Sequence, residues 1–418
     1  MSEAGVARQT AYRLAADVVA KGAFFLLTIL AARRLSREAF GQFAVATTVG
    51  WLSGVVTDAG LQMHVARSVA STSLAGARRA LDRWLPWRVC AAALALGAAI
   101  AWVLVTSAQA HVGAAIVLLV AAGLAGAITE FYGHLFRGLS RPDLESMLTL
   151  GSRLVALAAG SAVLMVEPTV LALACTLLGV NAATTLVAAR TAAHIAPSVP
   201  SDGTASLGPR WQEFTREALP IGVGVALSAL YFRVDVLLLE RWDGPEVAGG
   251  YNAVFRLVEA LRLIPGAAIA VALPTLFRAH TFHEAGRLAT ALTAGATVLS
   301  AVLWLSADRL IPFCFGPTFA STVPAYRILL AAFPLMTLNY VLTTQLISWH
   351  RHRAFAALCG VALVFNLALN RLLIPAWSLD GSAWTTLWTE VVLTLGCGAV
   401  LASIRPRHET PIGVVVSP

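Results

Sequence analysis

The sequence predicts an all-α integral membrane protein with about twelve transmembrane helices, arranged as two six-helix lobes around a central cavity. Hydrophobic residues make up 58% of the 418 residues and charged residues only 12%, whereas soluble proteins have about 25% charged residues. The mean hydropathy is +0.75. Apolar runs of about 18 to 25 residues recur along the chain, and each could cross a bilayer as a helix. The alternation over about ten residues that membrane β-strands need is absent.

Twelve such runs follow one another with short connections. The first is not expected to be a cleaved signal peptide, because no small-residue cleavage site follows it and further spans come directly after it. The predicted spans are 14–32, 40–62, 87–107, 112–136, 143–166, 169–190, 218–240, 247–275, 287–306, 323–347, 352–374 and 381–404.

The arginines of the connections predict the orientation in the membrane. With a cytoplasmic N-terminus, about 18 of them face the cytoplasm and about six face the other side, so the positive-inside rule predicts that both termini are cytoplasmic. The formal charge of +8 then reflects the arginines that set the orientation, and it attracts the protein surface to anionic membrane lipids. The basic residues form no continuous patch, so nucleic acid is not an expected partner. The five cysteines are scattered, and neither a metal nor a cofactor is predicted.

A short motif recurs after half the chain. Glu-x-x-Gly-x-Phe at Glu38–Phe43 returns as Glu-x-x-Gly-x-Tyr at Glu246–Tyr251, each time between the first two spans of a six-span half. An even number of spans gives both halves the same orientation, with a pseudo-symmetry axis along the membrane normal. The predicted domains are an N-terminal lobe (1–190), a cytoplasmic linker rich in Ala, Pro, Ser and Gly (191–217), a C-terminal lobe (218–404) and a cytoplasmic tail (405–418).

Ionisable residues lie inside the spans 218–240 and 247–275. An arginine at the centre of a span costs roughly 2.5–3.5 kcal/mol, so such residues are expected to face protein interior or a wet cavity. Along a helix, Arg256, Glu259 and Arg262 fall within roughly a 120° arc, with Glu259 between the two arginines and Asn252 in the same arc. This pattern predicts one polar, net cationic stripe, and the equivalent positions of the first half are uncharged.

Further charged residues are less simply explained. Arg233 and Asp235 point to nearly opposite sides of one helix, so each needs a partner elsewhere. Lys21, the only lysine, lies four residues after Asp17, and two interpretations stay open: a boundary residue paired with Asp17, or a cation of the cavity. Glu390 lies about ten residues into the last span.

The sequence shows four more polar or amphipathic features. Arg327 and Arg371 are the expected partners of Glu390, Arg153 lies deep in the fifth span, and an amphipathic segment on the membrane face is expected within 63–87. Glu130, with His134 and Arg137 after it, forms a polar stripe on the fourth span.

Three stretches carry a resemblance to a known family. Ala32–Phe43 resembles the signature that opens bacterial polysaccharide-export flippases. Tyr231–Leu239, with Gly250–Leu261 and Ile264–Pro265, is similar to the start of the second half in that family. Phe365–Pro375 followed by Asp380–Thr386 is similar to its last two helices. The family is the oligosaccharide flippase branch of the multidrug/oligosaccharidyl-lipid/polysaccharide exporter superfamily. The resemblance covers nearly the whole chain, but these motifs are architectural and name no substrate.

The resemblance implies a transporter of the bacterial inner membrane that moves a polyprenyl-diphosphate-linked glycan from the cytoplasmic to the outer leaflet by alternating access of the two lobes, without a cofactor. Its implied partners are the lipid-linked glycan, membrane lipids and other polysaccharide-assembly membrane proteins. A diphosphate needs cations, and arginine suits it because its planar guanidinium can donate two hydrogen bonds at once. The candidate substrate-binding residues are Arg233, Arg256, Arg262, Lys21 and Asn252. The candidates for tuning these cations or coupling an ion are Asp235, Glu259 and Glu390.

Three alternatives stay open. A multidrug exporter of the same superfamily would expel cationic amphiphiles and needs an acidic site, which the surplus of arginine opposes. A membrane glycan polymerase or ligase usually needs a sizeable outer loop, yet the longest here runs from about 307 to 323 and carries no paired carboxylates. Each charged residue also has a purely structural interpretation, a fixed ion pair between helices.

Overall fold

The computed structural model describes residues 3–70, 72–106, 110–196, 212, 214–269 and 282–403. Within these ranges the chain forms helices joined by short turns. The helices are α1 (Glu3–Arg34), α2 (Arg37–Asp58), α3 (Leu61–Ala70), α4 (Leu74–Thr106), α5 (Ala110–Gly138), α6 (Pro142–Val166), α7 (Val170–Ile195), α8 (Leu219–Asp243), α9 (Pro245–Leu261), α10 (Phe282–Phe315), α11 (Val323–Ser348) and α12 (His352–Ser403). A π-helical turn (Phe214–Ala218) precedes α8, and a 3₁₀ turn (Pro317–Thr322) precedes α11.

The helices reproduce the predicted number of membrane crossings. In the described part of the chain, ten helices are long and apolar enough to span a bilayer. Helix α9 has 17 residues and further helical residues after a turn at Arg262, so it adds an eleventh crossing. Helix α12 has 52 residues, about twice what one crossing requires, and adds the twelfth.

Helix α12 folds back on itself at Ser378, whose φ of 50° and ψ of −127° are not helical. On a straight helix, Leu373 and Gly381 would be about 12 Å apart. Instead, a Cβ added at Gly381 would lie 2.2 Å from the carbonyl oxygen of Leu373. Asn366 Nδ2 also donates to Thr389 Oγ1 at 3.3 Å across the two arms. The chain therefore reverses here, and only glycine fits at position 381.

The crossings group into two lobes of six. Helices α1, α2, α4, α5, α6 and α7 pack among themselves, as do α8 to α12. The lobes meet where α2 contacts α8 and α9, and where α1 contacts α9 and α10. The predicted lobe boundaries stay predictions, and most of the predicted linker and the tail 405–418 lie outside the described residues.

The bundle has two ends, which we name by residues at the lobe interface. At the Arg37 end, where α1 meets α2, Arg37 Nη1 lies 3.2 Å from Glu246 Oε1 of the other lobe. A Cβ added at Gly41 would lie 1.8 Å from the carbonyl oxygen of Pro245, and one at Gly249 would lie 2.8 Å from the Cα of Gly41. The two copies of the repeated motif therefore pack against each other, glycine on glycine.

Two further contacts connect the lobes at the Arg37 end. Arg33 donates to the backbone carbonyl oxygens of Cys314, at 2.8 Å, and of Phe313. A cavity of about 550 Å³ lies beside them and is lined by residues that include Arg33, Arg37 and Thr318.

The Gly60 end is the opposite end of the bundle, where α2 meets α3. Gly60 has a φ of +87°, and a Cβ there would lie 2.5 Å from the carbonyl oxygen of Ala218. The lobes therefore also touch at this end, beside α8. Helix α3 overlaps the segment predicted to be amphipathic, and its apolar face, with Leu61, Val65 and Val69, packs into the N-terminal lobe against α4 and α5.

Candidate functional site

Glu259 joins two arginines between α8 and α9. Its Oε2 accepts a hydrogen bond from Arg256 Nη1 at 2.9 Å and another from Arg233 Nη2. The side chain of Arg233 is 2% exposed, that of Arg256 is 17% exposed and that of Glu259 is 33% exposed. Two guanidinium groups share one carboxylate, so this triad carries a surplus positive charge inside the membrane-spanning bundle.

Arg233 is held on every side. Its Nη1 donates to Asn252 Oδ1 at 3.1 Å, and Asn252 is itself buried. Its guanidinium carbon lies 4.8 Å from the centroid of the Phe255 ring and 5.7 Å from that of Phe232. Arg233 therefore finds its counter-charge, two hydrogen-bond acceptors and two aromatic contacts within the protein.

The partners of Glu259 differ from the sequence expectation. The helical spacing placed it between Arg256 and Arg262, but its second partner is Arg233. Helix α9 ends at Leu261, so Arg262 lies in the turn that follows, where its charge still acts on Glu259 without a hydrogen bond between them. Its guanidinium carbon lies 4.3 Å from the Phe232 ring centroid.

Asp235 finds separate partners, as its position opposite Arg233 predicts. Its Oδ2 accepts hydrogen bonds from Tyr251 Oη at 2.6 Å and from Thr386 Oγ1 at 3.1 Å. Asp235 is 1% exposed, and no described group donates to its other oxygen, Oδ1. A buried carboxyl group with one open oxygen and no cation bonded to it could take up a proton or a small cation.

We expect Tyr251→Phe to destabilise the C-terminal lobe without changing its charge. The substitution removes the buried hydroxyl that donates to Asp235, a loss of about 1 to 3 kcal/mol. The midpoint of thermal unfolding of the purified protein in detergent should fall by a few degrees. Tyr340→Phe is the matched control, because Tyr340 is partly exposed and its ring remains available to Arg262. Equal unfolding midpoints for the two variants would contradict this role of the hydroxyl.

Glu390 has a different partner from those the sequence suggested. Asn339 Nδ2 donates to Glu390 Oε2 at 2.6 Å, whereas Arg327 Nη2 donates to Asp308 Oδ2 at 2.7 Å. Arg371 is exposed on α12 and shows no ion pair with Glu390. Arg327 lies one turn into α11 and Glu390 three turns past the reversal of α12, so their depths differ by about 12 Å. Glu390 is 3% exposed and borders a small polar gap near Asn366.

Lys21 shows features of both interpretations. Its Nζ lies 2.7 Å from Asp17 Oδ2, and the two side chains are 55% and 49% exposed. The next residue on this face of α1 is Phe24, whose ring centroid lies 5.5 Å from the guanidinium carbon of Arg256. Lys21 is therefore paired, and it also lies one turn from the contact between the lobes.

Arg153 belongs to the same region, although the sequence analysis assigned it no role. Its guanidinium carbon lies 5.0 Å from the centroid of the Phe24 ring, which Arg256 also contacts. The available signal was an arginine at mid-span with no charged residue three or four positions away on its own helix. Such a residue must find its partner on another helix or in a ligand.

The arrangement is suited to a polyanion. Arg153, Arg256, Arg262 and Lys21 are partly exposed cations near the lobe interface, and arginine binds phosphate by paired, charge-assisted hydrogen bonds. The described residues contain no group of three or more His, Cys, Asp or Glu side chains that could hold a metal ion.

The fold is that of known membrane transporters. The eukaryotic MATE transporter AtDTX14 superposes with a TM-score of 0.64 at 13% identity, over 96% of each chain. The lipid II flippase MurJ, in an inward closed conformation, gives 0.64 at 10% identity over 94% of this chain and 88% of its own. A MOP superfamily transporter from Pyrococcus furiosus gives 0.61 at 12% identity over 95% of each chain. At these identities the likeness shows the fold.

The sequence itself identifies the family. No curated protein sequence matches the chain significantly. Residues 6–280, about two thirds of the chain, match the family described as "Polysaccharide biosynthesis protein". This multi-pass membrane protein therefore belongs to the polysaccharide biosynthesis protein family.

Proposed function

We propose that this protein is a flippase that moves a polyprenyl-diphosphate-linked oligosaccharide from the cytoplasmic to the outer leaflet of the bacterial inner membrane, for cell-surface polysaccharide. Both termini lie in the cytoplasm, as the arginines of the connections predict. The Gly60 end then faces the cytoplasm and the Arg37 end faces outward.

The surplus of arginine at the lobe interface supports this proposal. A diphosphate crossing the membrane loses its hydration, and cations at the interface replace it. We assign direct contact with the diphosphate to Arg256, Arg262 and Lys21, which are partly exposed. Arg233 and Asn252 are buried. Asn252 accepts a hydrogen bond from Arg233, and Arg233 in turn donates to Glu259, so this pair positions Glu259 and, through it, Arg256. The polyprenyl tail stays in the lipid beside the lobes.

The charge balance argues against a multidrug exporter. A cationic drug needs a carboxylate free to receive it, but Glu259 is already shared by two arginines. For the Pyrococcus furiosus transporter, a reverse polarity of the binding pocket suggests a different function. For this chain, the surplus positive charge of the arginines around Glu259 supports an anionic substrate.

The lobes touch at both ends of the bundle, and a transport cycle would tighten the contacts at one end while it loosens those at the other. At the Arg37 end the lobes are held by Arg37–Glu246, by Arg33 and by the Gly41–Gly249 contact. Opening this end and closing the other would expose the arginines first to one side of the membrane and then to the other. Asp235 and Glu390, buried and not ion-paired with the arginines, are the residues that couple an ion to this movement.

Deleting the gene in its own host tests the function. We expect the surface polysaccharide to disappear and the polyprenyl-diphosphate glycan to accumulate in the cytoplasmic leaflet, with both restored by the wild-type gene. A glycan that still reaches the outer leaflet, but stays short or is not transferred, would instead identify a polymerase or ligase. Loss of drug resistance with normal polysaccharide would identify a multidrug exporter.

A further inference from the structure

Phe24 on α1 is contacted by one arginine from each lobe. Arg153 comes from α6, which packs against α1 in the N-terminal lobe, and Arg256 comes from α9 in the C-terminal lobe. Their guanidinium carbons lie 5.0 Å and 5.5 Å from the same ring centroid, so the two carbons are within about 10.5 Å of each other, the sum of these distances. Two positive charges, one from each lobe, thus lie within cation–π distance of the same aromatic ring.

Arg153 has hydrogen-bonding groups to spare. In the part of the chain that the structure describes, its guanidinium makes no hydrogen bond or ion pair, although it lies about 16 Å into the span from the Gly60 end. A guanidinium has five N–H donors, and leaving them unmet in a span is costly unless water or a ligand accepts from them. Arg256 is also incompletely bonded, because its Nε is buried and has no acceptor among the described residues.

Glu130 of α5 is the carboxylate whose charge acts on Arg153. It interacts electrostatically with Arg153 and Arg88, but it forms no hydrogen bond or ion pair with a described residue. Its side chain is exposed although it lies about 12 Å inside the end of α5. A carboxylate so placed can balance Arg153 when the site is empty, yet it does not occupy the arginine's donors.

We propose that Arg153 and Arg256 form a clamp across the two lobes, in which each arginine binds one phosphate of the diphosphate while Phe24 holds the guanidinium groups apart. This inference rests on the proposed function and adds Arg153 of the N-terminal lobe to its binding site. Two arginines that each hold one phosphate of a diphosphate have guanidinium carbons roughly 8 to 11 Å apart, given hydrogen bonds of ordinary length. The guanidinium carbons of Arg153 and Arg256 are at most about 10.5 Å apart, the sum of their distances to the ring centroid, which allows a separation in that range. Binding of the diphosphate would then draw the lobes together.

The test compares farnesyl diphosphate with farnesyl monophosphate as ligands of the purified full-length protein. In Arg153→Gln we expect the affinity for the diphosphate to fall about tenfold or more, and the affinity for the monophosphate to change less than threefold, because Arg256 still holds one phosphate. Arg153→Lys should recover part of the loss, since it restores the charge without the fork. Arg327→Gln is the matched control, because Arg327 pairs with Asp308 away from Phe24.

Each outcome has a definite meaning. If the affinity of Arg153→Gln falls equally for both ligands, or does not fall, the clamp is wrong. If the protein binds vesicles of anionic phospholipid through Arg153 but binds neither farnesyl ligand, Arg153 serves a membrane-lipid headgroup and the clamp is also wrong. The proposed function stands or falls separately, on the deletion phenotype: full loss of flipping with an unaffected Arg153→Gln protein would contradict the clamp alone.

Discussion

Gly41→Leu should abolish transport, because it prevents the lobes from meeting at the Arg37 end. Even the first side-chain carbon at position 41 would lie 1.8 Å from the carbonyl oxygen of Pro245, and a backbone atom cannot turn aside as a flexible side chain can. The substitution therefore pushes α2 and α9 apart. We expect less than about a tenth of wild-type flipping, since a transporter that cannot close one end cannot alternate.

Chemical cross-linking at that end gives the measurement. Arg37→Cys and Glu246→Cys replace an ion pair whose atoms are 3.2 Å apart, so a short bis-maleimide should join them in a background without the native cysteines. Adding Gly41→Leu should remove the cross-link. Gly97→Leu is the matched control, because position 97 has open space around it on α4. Normal transport by a well-expressed Gly41→Leu protein would contradict the need for the lobes to close at the Arg37 end. If that variant does not express, Gly41→Ala introduces the same clash with a smaller side chain.

The main features of the fold were predictable from composition and periodicity. Apolar runs of membrane length predicted twelve crossings, and the repeated motif predicted two halves of like orientation. The sequence could not reveal that the two motif copies touch each other. Gly41 and Gly249 are 208 residues apart, and a glycine shows only that a backbone comes close, without naming which one.

The candidate site was only partly predictable, for a physical reason. Helical spacing identifies residues that share a face, as it does for Arg256 and Glu259, which are in fact bonded. Helical spacing does not identify neighbours on other helices. It therefore could not predict that Arg233 bonds to Glu259 or that Asn339 bonds to Glu390. The helix end after Leu261 did have a signal, because the ring of Pro265 clashes with the carbonyl group four residues before it.

Paired substitutions in the shared carboxylate network separate binding from stability. Arg256→Gln leaves Glu259 bonded to Arg233, so the protein should fold and unfold as the wild type does, while the surplus charge is lost and flipping falls at least tenfold. Glu259→Gln leaves Arg233, 2% exposed, without its counter-charge, and breaking such a buried pair costs about 3 kcal/mol or more. We therefore expect Glu259→Gln to lower the unfolding midpoint and the expression level strongly.

The two variants are compared at matched expression, by thermal unfolding in detergent and by glycan flipping in the deletion strain. A stable Arg256→Gln protein that transports normally would show that the arginines are structural ion pairs and that the cationic site is wrong. A Glu259→Gln protein as stable as the wild type would mean that Arg233 needs no counter-charge, because Asn252, the two phenylalanine rings and the amide oxygen introduced at position 259 satisfy it. The expected pattern, loss of transport in one variant and loss of stability in the other, requires that one carboxylate serve a buried arginine and a ligand-binding arginine together.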